Sequence, residues 1–144
     1  MIMKIKIKRI DKSLPLPKQK GGAACFDFSC RETTTIKPNE IKLVPSNTVV
    51  EVPQGYALLI FSRSSTPLRK GLVLANGVGV VDPFFCGDKD EIVFEFMNIT
   101  NKDVVVERGE VLAQGMVIKH ETVEWEEVEK MGEKGKGGYK VSYS

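Results

Sequence analysis

Hydrophobic and polar residues alternate with a period of two along much of the chain. Ile5 and Ile7 alternate with lysines, and Val50 and Val52 flank Glu51. Because successive side chains of a β-strand point to opposite faces, each stretch predicts a strand with one buried face.

Three denser apolar runs supply the predicted core. They lie at residues 56–61, 92–97 and 111–118. Each run is short and is bounded by turn residues, which favours strands covered on both faces over buried helices. Many short strands without a repeated alternation of strand and long helix predict an all-β barrel or sandwich.

One short helix is expected after Arg63. Ser64 or Ser65 is suited to cap its first turn, and Pro67 is tolerated near a helix start. The helix is an exception in a chain that otherwise predicts strands.

The C-terminal part of the chain has a different pattern. In residues 121–130, Val123 and Trp125 alternate as in a strand while the glutamates favour helix, and we prefer the strand. From residue 132 onward the chain is rich in glycine and lysine, with too little apolar surface to offset the entropy of ordering. We therefore expect a β domain over residues 1–131 and a flexible arm over residues 132–144.

Composition and charge exclude several classes of protein. The chain has 144 residues, of which 42% are hydrophobic and 28% charged, as in a single globular domain. Its net charge of +2 is too small to indicate a stable nucleic-acid partner held by phosphate neutralisation. No apolar run approaches the roughly 18 to 20 residues that span a bilayer. We expect a cytoplasmic protein with no membrane partner.

The three cysteines, Cys25, Cys30 and Cys86, leave at least one thiol unpaired, and we expect all three to be reduced. Cys25 and Cys30 with the single histidine, His120, are an alternative zinc-ligand set. Their spacing lacks the close cysteine pairs of structural zinc sites, so the zinc alternative is disfavoured.

An anion pocket is the functional interpretation of Arg63, Ser64 and Ser65. A guanidinium fork and two hydroxyls directly after a core strand can converge on a phosphate. The alternative interpretation is a solvated turn, because short motifs of this kind often occur by chance.

A second group of candidate residues follows at the predicted Asn76-Gly77 hairpin. The amide of Asn76 offers the donor and acceptor needed to read the edge of a nucleobase. The Asp82 carboxylate can take a proton from water if it is ionised. The alternatives are that both polar residues only form turns and that Phe84 and Phe85 belong to the core.

Two further polar features remain. Gln114 lies within an apolar strand, where its amide must either satisfy a core hydrogen bond or face a site. In the arm, Lys134 and Lys136 supply positive charge and Tyr139 supplies a ring that can stack on a base. A frayed basic tail is the alternative for the arm.

Taken in order, five segments resemble the motifs of the trimeric deoxyuridine triphosphatases (dUTPases). The segments are residues 23–28, 63–65, 79–87, 109–114 and 134–139. The resemblance implies a jelly-roll-like, distorted β-barrel of the β-clip type. It also implies a homotrimer with active sites between subunits, and an arm that closes over a neighbour's site.

The implied reaction is hydrolysis of dUTP to dUMP and pyrophosphate, with Mg²⁺ held through the substrate phosphates and not directly by the protein. In this resemblance Asp82 activates the water that attacks the α-phosphorus, and Gln114 orients phosphate or water. Asp27 supports the first motif. The implied substrate-binding residues are Arg63, Ser64, Ser65, Asn76, Gly79, Val80, Val81, Phe85, Lys134, Gly138 and Tyr139.

Individual roles follow from the same resemblance. Asn76 falls on the residue that reads uracil, and Phe85 on the ring that crowds the ribose 2′ position. Lys134 matches a phosphate-binding cation of the arm, and Tyr139 its stacking ring. Cys25 stands where the family usually has glycine.

Two other functions are kept as alternatives. Glu95 falls near the catalytic glutamate of the dCTP deaminases, which belong to the same superfamily, so a deaminase or a bifunctional enzyme is the runner-up. A non-catalytic nucleotide-binding or regulatory protein on the same scaffold is the other. The acidic residues 88–91, an insertion relative to the family pattern, are expected to form a solvated hairpin turn, with metal binding as a less favoured role.

Overall fold

The computed structural model describes residues 2–132, 135, 137 and 138. Within them the chain forms short strands and a single short helix, which confirms the all-β prediction. The strands are β1 (Ile7–Arg9), β2 (Lys18–Gln19), β3 (Phe26–Phe28), β4 (Thr34–Ile36), β5 (Ile41–Pro45), β6 (Thr48–Val50), β7 (Tyr56–Ser62), β8 (Leu72–Leu74), β9 (Gly79–Val81), β10 (Val93–Asn98), β11 (Val104–Val106) and β12 (Ala113–Lys119). The helix is α1 (Thr66–Lys70). Across the described residues, no helix has the length and apolar character to cross a membrane.

The strands form four antiparallel sheets that pack in a jelly-roll-like arrangement. The largest has the order β2-β3-β12-β7-β9, and a second has the order β5-β10-β8. Two-stranded sheets pair β1 with β6 and β11 with β4. β7 and β12, the longest strands, pair along their whole lengths, from Ala113 opposite Ser62 to Lys119 opposite Tyr56.

A row of aromatic rings joins the two larger sheets through the core. Phe26 and Phe28 of β3 have ring centroids 5.4 Å apart, and Phe28 lies 5.7 Å from Phe94 of β10. Phe94 lies 5.7 Å from Phe96 in turn. Phe28, Phe94 and Phe96 are almost completely buried, and rings at these separations contribute packing energy beyond their buried area.

Gly115 of β12 lies directly beneath the rings of β3. A Cβ atom at this position would come within 2.8 Å of Phe28 Cε2 and 3.0 Å of Phe26 Cε2. A side chain there would therefore displace rings of the core. Since residues alternate across a strand, Asp27 and Gln114 are directed to the opposite face of the sheet from this contact.

Two strand predictions need correction in part. The run at residues 92–97 is not covered on both faces in the single chain: in β10, Phe94 and Phe96 are buried, while Val93 is 42% exposed. At the N-terminus, Ile5 packs against the core but β1 begins only at Ile7, which is exposed. Val50 and Val52 are both buried and Glu51 is exposed, as predicted, but β6 ends at Val50, so Val52 lies outside the strand.

Residues 121–130 form no strand, so that prediction is wrong. The segment has no regular secondary structure and its side chains are exposed, including Trp125 at 88%. A strand requires a partner for its backbone groups. β12 ends at Lys119, and none of the strands within the described part of the chain pairs with the segment.

The acidic residues 88–91 are only partly a solvated turn. Asp88 is exposed, but the Glu91 carboxylate accepts hydrogen bonds from Arg31 Nε at 2.7 Å and Arg31 Nη2 at 2.8 Å, and a third from the backbone N–H of Asn47 at 2.8 Å. Glu91 raises the pKa of Arg31 above its ordinary value through these hydrogen bonds. Glu91 therefore joins β10 to the β3–β4 and β5–β6 connections.

Asn98, at the end of β10, organises the neighbouring turns. Its side chain is fully buried, and Nδ2 donates to the carbonyls of Ile36 at 2.8 Å and Lys102 at 2.7 Å. Oδ1 accepts from the backbone N–H and the hydroxyl of Thr100. Every hydrogen-bonding atom of the amide is thus engaged.

We expect Asn98→Ala to lower the free energy of unfolding by about 2 to 4 kcal/mol, because buried carbonyls lose their donor. Asn101→Ala, in the same turn but at an exposed position, is the matched control and should change stability by less than about 0.5 kcal/mol. Urea unfolding followed by circular dichroism measures both. Equal effects of the two substitutions would contradict this role of Asn98.

Candidate active site

A cleft of about 340 Å³ opens where β3, β12 and the end of β7 meet. Asp27, Arg63, Ser64 and Gln114, which were predicted as site residues, all line it. They lie far apart in the sequence, and the antiparallel pairing of the three strands brings them together.

Asp27 and Gln114 are cross-strand neighbours. Their Cα atoms are direct partners in the pairing of β3 with β12. The Gln114 Nε2 atom donates to the Ser62 carbonyl at 3.2 Å, which satisfies one donor of the amide while the residue remains partly exposed to the cleft. Both interpretations of the Gln114 amide therefore hold: it makes a hydrogen bond within the sheet, and it faces the cleft.

Arg63 directly follows β7 and continues its pairing with β12 through a bond from its N–H to the Leu112 carbonyl at 3.1 Å. Its Nη1 donates to the Val111 carbonyl at 3.3 Å, and its Nε lies 3.9 Å from Asp27 Oδ1. The Arg63 side chain is 38% exposed. Backbone and carboxylate contacts thus orient a cation at the mouth of the cleft.

The predicted helix after Arg63 is confirmed as α1, with Ser65 at the N-cap position. The Ser65 hydroxyl makes no capping hydrogen bond. Buried Thr66 holds the turn instead, because its Oγ1 donates to the Leu112 carbonyl at 2.7 Å. The Ser65 hydroxyl is therefore not used to cap the helix.

A second group of predicted residues lies at the β8–β9 connection. Asn76 and Gly77 form a turn in which the Gly77 N–H donates to the Leu74 carbonyl at 3.0 Å and Gly77 has a φ of 73°. The predicted hairpin is wrong, because β8 pairs with β10 and β9 pairs with β7. The turn carries the chain from one sheet to another, which local turn residues do not reveal.

Gly79, Val80 and Val81 form β9, the edge strand beside β7. Val80 is exposed, whereas Val81 packs into the core. A Cβ atom on Gly79 would lie 3.0 Å from Ile60 Cβ and 3.8 Å from Asn76 Nδ2. Glycine therefore allows close packing of this edge beside the Asn76 amide.

Asp82 and Phe85 follow β9 in a turn closed by the bond from the Phe85 N–H to the Asp82 carbonyl at 3.1 Å. The Asp82 side chain is exposed. Phe84 is 81% exposed and Phe85 38%, so neither ring belongs to the core of the single chain.

Asp82 and Arg63 lie toward opposite ends of β7. Val81 is paired with Leu58, and Asp82 follows Val81 in the direction away from Arg63. The five residue-to-residue steps from Leu58 to Arg63 span roughly 17 Å at about 3.4 Å per step. One chain therefore does not bring its own Asp82 to its own Arg63.

Three predicted residues belong to the arm. Lys134 and Tyr139 lie outside the described residues. Gly138 is exposed and has a φ of 148°, a conformation that favours glycine.

Lys20 and Cys25 also line the cleft, and the amino-acid sequence did not indicate this position for either residue. The glycine pair Gly21 and Gly22 could have indicated this position, because such a pair marks a turn that reverses the direction of the chain. The pairing of β2 with β3 then carries Lys20 to the rim, next to Cys25.

The three cysteines are unpaired, as expected, but they differ in their surroundings. Cys25 and Cys86 are partly exposed and Cys30 is buried. Burial, reinforced by the charge of Glu110, raises the pKa of the Cys30 thiol to about 12. Within residues 2–132, 135, 137 and 138, no group of three histidine, cysteine or acidic side chains is arranged to hold a metal ion.

We expect Cys25 and Cys86, but not Cys30, to react with iodoacetamide in the native protein at pH 8. The thiolate is the reactive form, and a raised pKa keeps Cys30 protonated at this pH. Peptide mass spectrometry with and without urea measures the labelling of each thiol. Native labelling of Cys30 at the rate of the other two would contradict the burial described here.

Comparisons with known proteins identify the family. A family model described as dUTPase matches residues 11–143. The chain belongs to the dUTPase family. A deoxyuridine 5′-triphosphate nucleotidohydrolase of Dictyoglomus turgidum is 33% identical over 144 residues, covering 95% of this chain and 96% of the relative. The protein of the same name in Helicobacter pylori strain P12 is 35% identical, covering 95% and 94%. A Lactococcus lactis relative is 39% identical over 65% of each chain.

Solved dUTPase structures have the same fold. The crystal structure of the Streptococcus mutans dUTPase is 32% identical, with a TM-score of 0.76, and the match covers 83% of this chain and 98% of that one. A dUTPase of Staphylococcus bacteriophage 80alpha, in a structure with dUPNHPP, has a TM-score of 0.80 at 20% identity, covering 92% of each chain. The jelly-roll-like fold is thus the dUTPase fold.

Proposed function

We propose that this protein hydrolyses dUTP to dUMP and pyrophosphate. The observation that carries the proposal is the cleft in which Arg63, Ser64 and Gln114 converge, in a chain of the dUTPase family. A guanidinium, a hydroxyl and an amide suit the oxygens of a polyphosphate. The related proteins of D. turgidum and H. pylori are named for this activity.

In the proposed reaction a water attacks the α-phosphorus and pyrophosphate leaves. Asp82 accepts the proton of that water, a role supported by its exposed carboxylate at the end of β9. Arg63 offsets the negative charge that accumulates on the phosphate oxygens, and Gln114 orients phosphate or water. No covalent intermediate is needed, so the serine hydroxyls only bind.

We propose that Mg²⁺ enters with the substrate. In proteins Mg²⁺ is bound mainly through phosphate oxygens and waters, together with one or two carboxylates. Asp27 lines the cleft, but its carboxylate lies 3.9 Å from Arg63 Nε, so the substrate phosphates, and not this side chain, would hold the ion. The ion would offset phosphate charge and make the leaving pyrophosphate more stable.

We propose that the base-recognition residues come from the same segment of the chain as Asp82, residues 76–85. Asn76 reads the uracil edge through its amide, and Phe85 stands against the ribose, consistent with the partial exposure of its ring. In the arm, Lys134 and Tyr139 would add a phosphate contact and a stacking surface.

A homotrimer with shared sites is the proposed assembly. It is supported by the roughly 17 Å along β7 from Leu58, which pairs with Val81, to Arg63. At that separation Asp82 and Arg63 of one chain cannot both contact the reacting end of a single triphosphate. The outer face of β5 and β10 adds support. Ile41 is 53% exposed and Leu43 is 60% exposed, and apolar surface of this kind is typical of subunit contacts.

The deaminase alternative receives less support. Glu95 lies in β10 opposite Leu43 of β5, on the sheet that does not carry the cleft. A cytoplasmic location remains part of the proposal and is consistent with three unpaired cysteines.

A nucleotide panel tests the proposed function. We expect pyrophosphate release from dUTP with Mg²⁺, loss of that release in EDTA, and little turnover of UTP, dCTP or dTTP. Pyrophosphate and ammonia are measured in parallel. Ammonia from dCTP would establish a deaminase instead, and tight dUTP binding without turnover would establish a binding protein.

Two inactive variants test whether a site is shared between subunits. Asp82→Asn should lower kcat by about 100-fold or more, since a general base contributes at least that much. Arg63→Gln should also inactivate. Refolded together in equal amounts, the two variants should regain about a quarter of wild-type activity. Each shared site takes Asp82 from one copy and Arg63 from another, and each of these two residues is intact in half of the copies.

The control for this experiment is each variant refolded alone. Activity that stays at the level of the single variants after mixed trimers have formed, as shown by mass spectrometry, would contradict shared sites. Full activity of Asp82→Asn would remove Asp82 as the base.

A further inference from the structure

Lys20 occupies a defined position at the rim of the cleft. It directly follows β2, and the turn that joins β2 to β3 is closed by a bond from the Ala23 N–H to the Lys20 carbonyl at 2.9 Å. The Gln19 Nε2 atom donates to the Ala23 carbonyl at 2.7 Å and braces the same turn. The backbone beneath the Lys20 side chain is therefore held in place.

The pairing of β2 with β3 directs this turn over the site. Lys18 is opposite Asp27 and Gln19 is opposite Phe26, so the next position, Lys20, falls beside Cys25. Lys20 and Cys25 both line the cleft that contains Arg63. The small side chains of Ala23 and Ala24 keep this side of the cleft open.

The charge balance of the cleft gives Lys20 its importance. Arg63 and Asp27, 3.9 Å apart, carry opposite charges, so together they add no net charge to the cleft. Among the described residues, no carboxylate lies within ion-pair distance of the Lys20 ammonium. Lys20 thus adds a positive charge that is not already matched inside the protein.

We propose that Lys20 is a phosphate-binding residue of this cleft, supplying the unmatched positive charge that a polyphosphate requires. The inference rests on the proposed function, because it assigns a further contact to the same substrate. An ammonium on a flexible stem suits this position, since it can follow a phosphate chain without the fixed geometry of a guanidinium. The contact acts on the ground state and the transition state alike.

The kinetic test compares Lys20→Gln and Lys20→Arg with Lys102→Gln, which removes an exposed lysine in the β10–β11 turn. We expect Lys20→Gln to raise the KM for dUTP by about five- to tenfold with kcat changed less than twofold, as for loss of a uniform binding contact. Lys20→Arg should restore most of the affinity. Lys102→Gln should match wild type.

A second measurement does not depend on turnover. Inorganic tripolyphosphate bound in the cleft should protect Cys25, but not Cys86, from iodoacetamide. Lys20→Gln should raise the tripolyphosphate concentration for half protection by about five- to tenfold, in line with the loss of one phosphate contact. Lys102→Gln should not. Because Cys25 reports occupancy of the cleft directly, this assay works even if dUTP is not the substrate.

The outcomes separate the two proposals. Wild-type dUTP hydrolysis with unchanged KM and unchanged protection in Lys20→Gln would overturn the role of Lys20 and leave the proposed function intact. Absence of dUTP hydrolysis, with Lys20-dependent protection of Cys25 by tripolyphosphate, would overturn the proposed function and retain Lys20 as a polyphosphate contact. A fall in kcat alone would also overturn the proposal, because it would indicate a role in the chemical step.

Discussion

The contact between Gly115 and the rings of Phe26 and Phe28 is the constraint on which the site depends. These rings press against the backbone of β12 at a place where a Cβ atom would collide with them. The register of β3 on β12 follows from this contact, since a slip of one residue would turn the rings to the wrong face of the sheet. The same register sets Asp27 beside Gln114 on the other face. The packing of the aromatic rings against Gly115 therefore also fixes the positions of two polar residues, Asp27 and Gln114.

The two longest strands, β7 and β12, position other residues of the candidate site. β7 pairs with β12 along seven residues, and Arg63, which follows the last residue of β7, lies at the cleft. β9 pairs with residues 58–60 along the opposite edge of β7, and Asp82 follows β9 in the direction away from the cleft. The strand that organises the fold thus also separates the phosphate-binding residues from the candidate base. Assembly of identical copies is the physical means by which such a fold would complete a site.

Much of the architecture could be predicted because it depends on local patterns. Three features could be predicted from neighbouring residues alone. They are the alternation around Val50 and Val52, the apolar run of β7, and the turn that becomes α1. The errors share another cause. Residues 121–130 have the alternation of a strand but no partner among the described strands, and the Asn76-Gly77 turn joins two sheets instead of two paired strands. Glu91 was predicted to be solvated, yet Arg31, sixty residues away in the chain, binds it.

The amino-acid sequence by itself determined the β class, the main strands, the chemistry of the candidate residues and, through five ordered motifs, the dUTPase family. Only the tertiary structure decided which of those residues share a cleft. It grouped Arg63 with Asp27 and Gln114, added Lys20, and set Asp82 apart. The reason is that local propensity acts over a few residues, whereas strand pairing and core packing join positions that are distant in the chain and leave no mark on the residues between them.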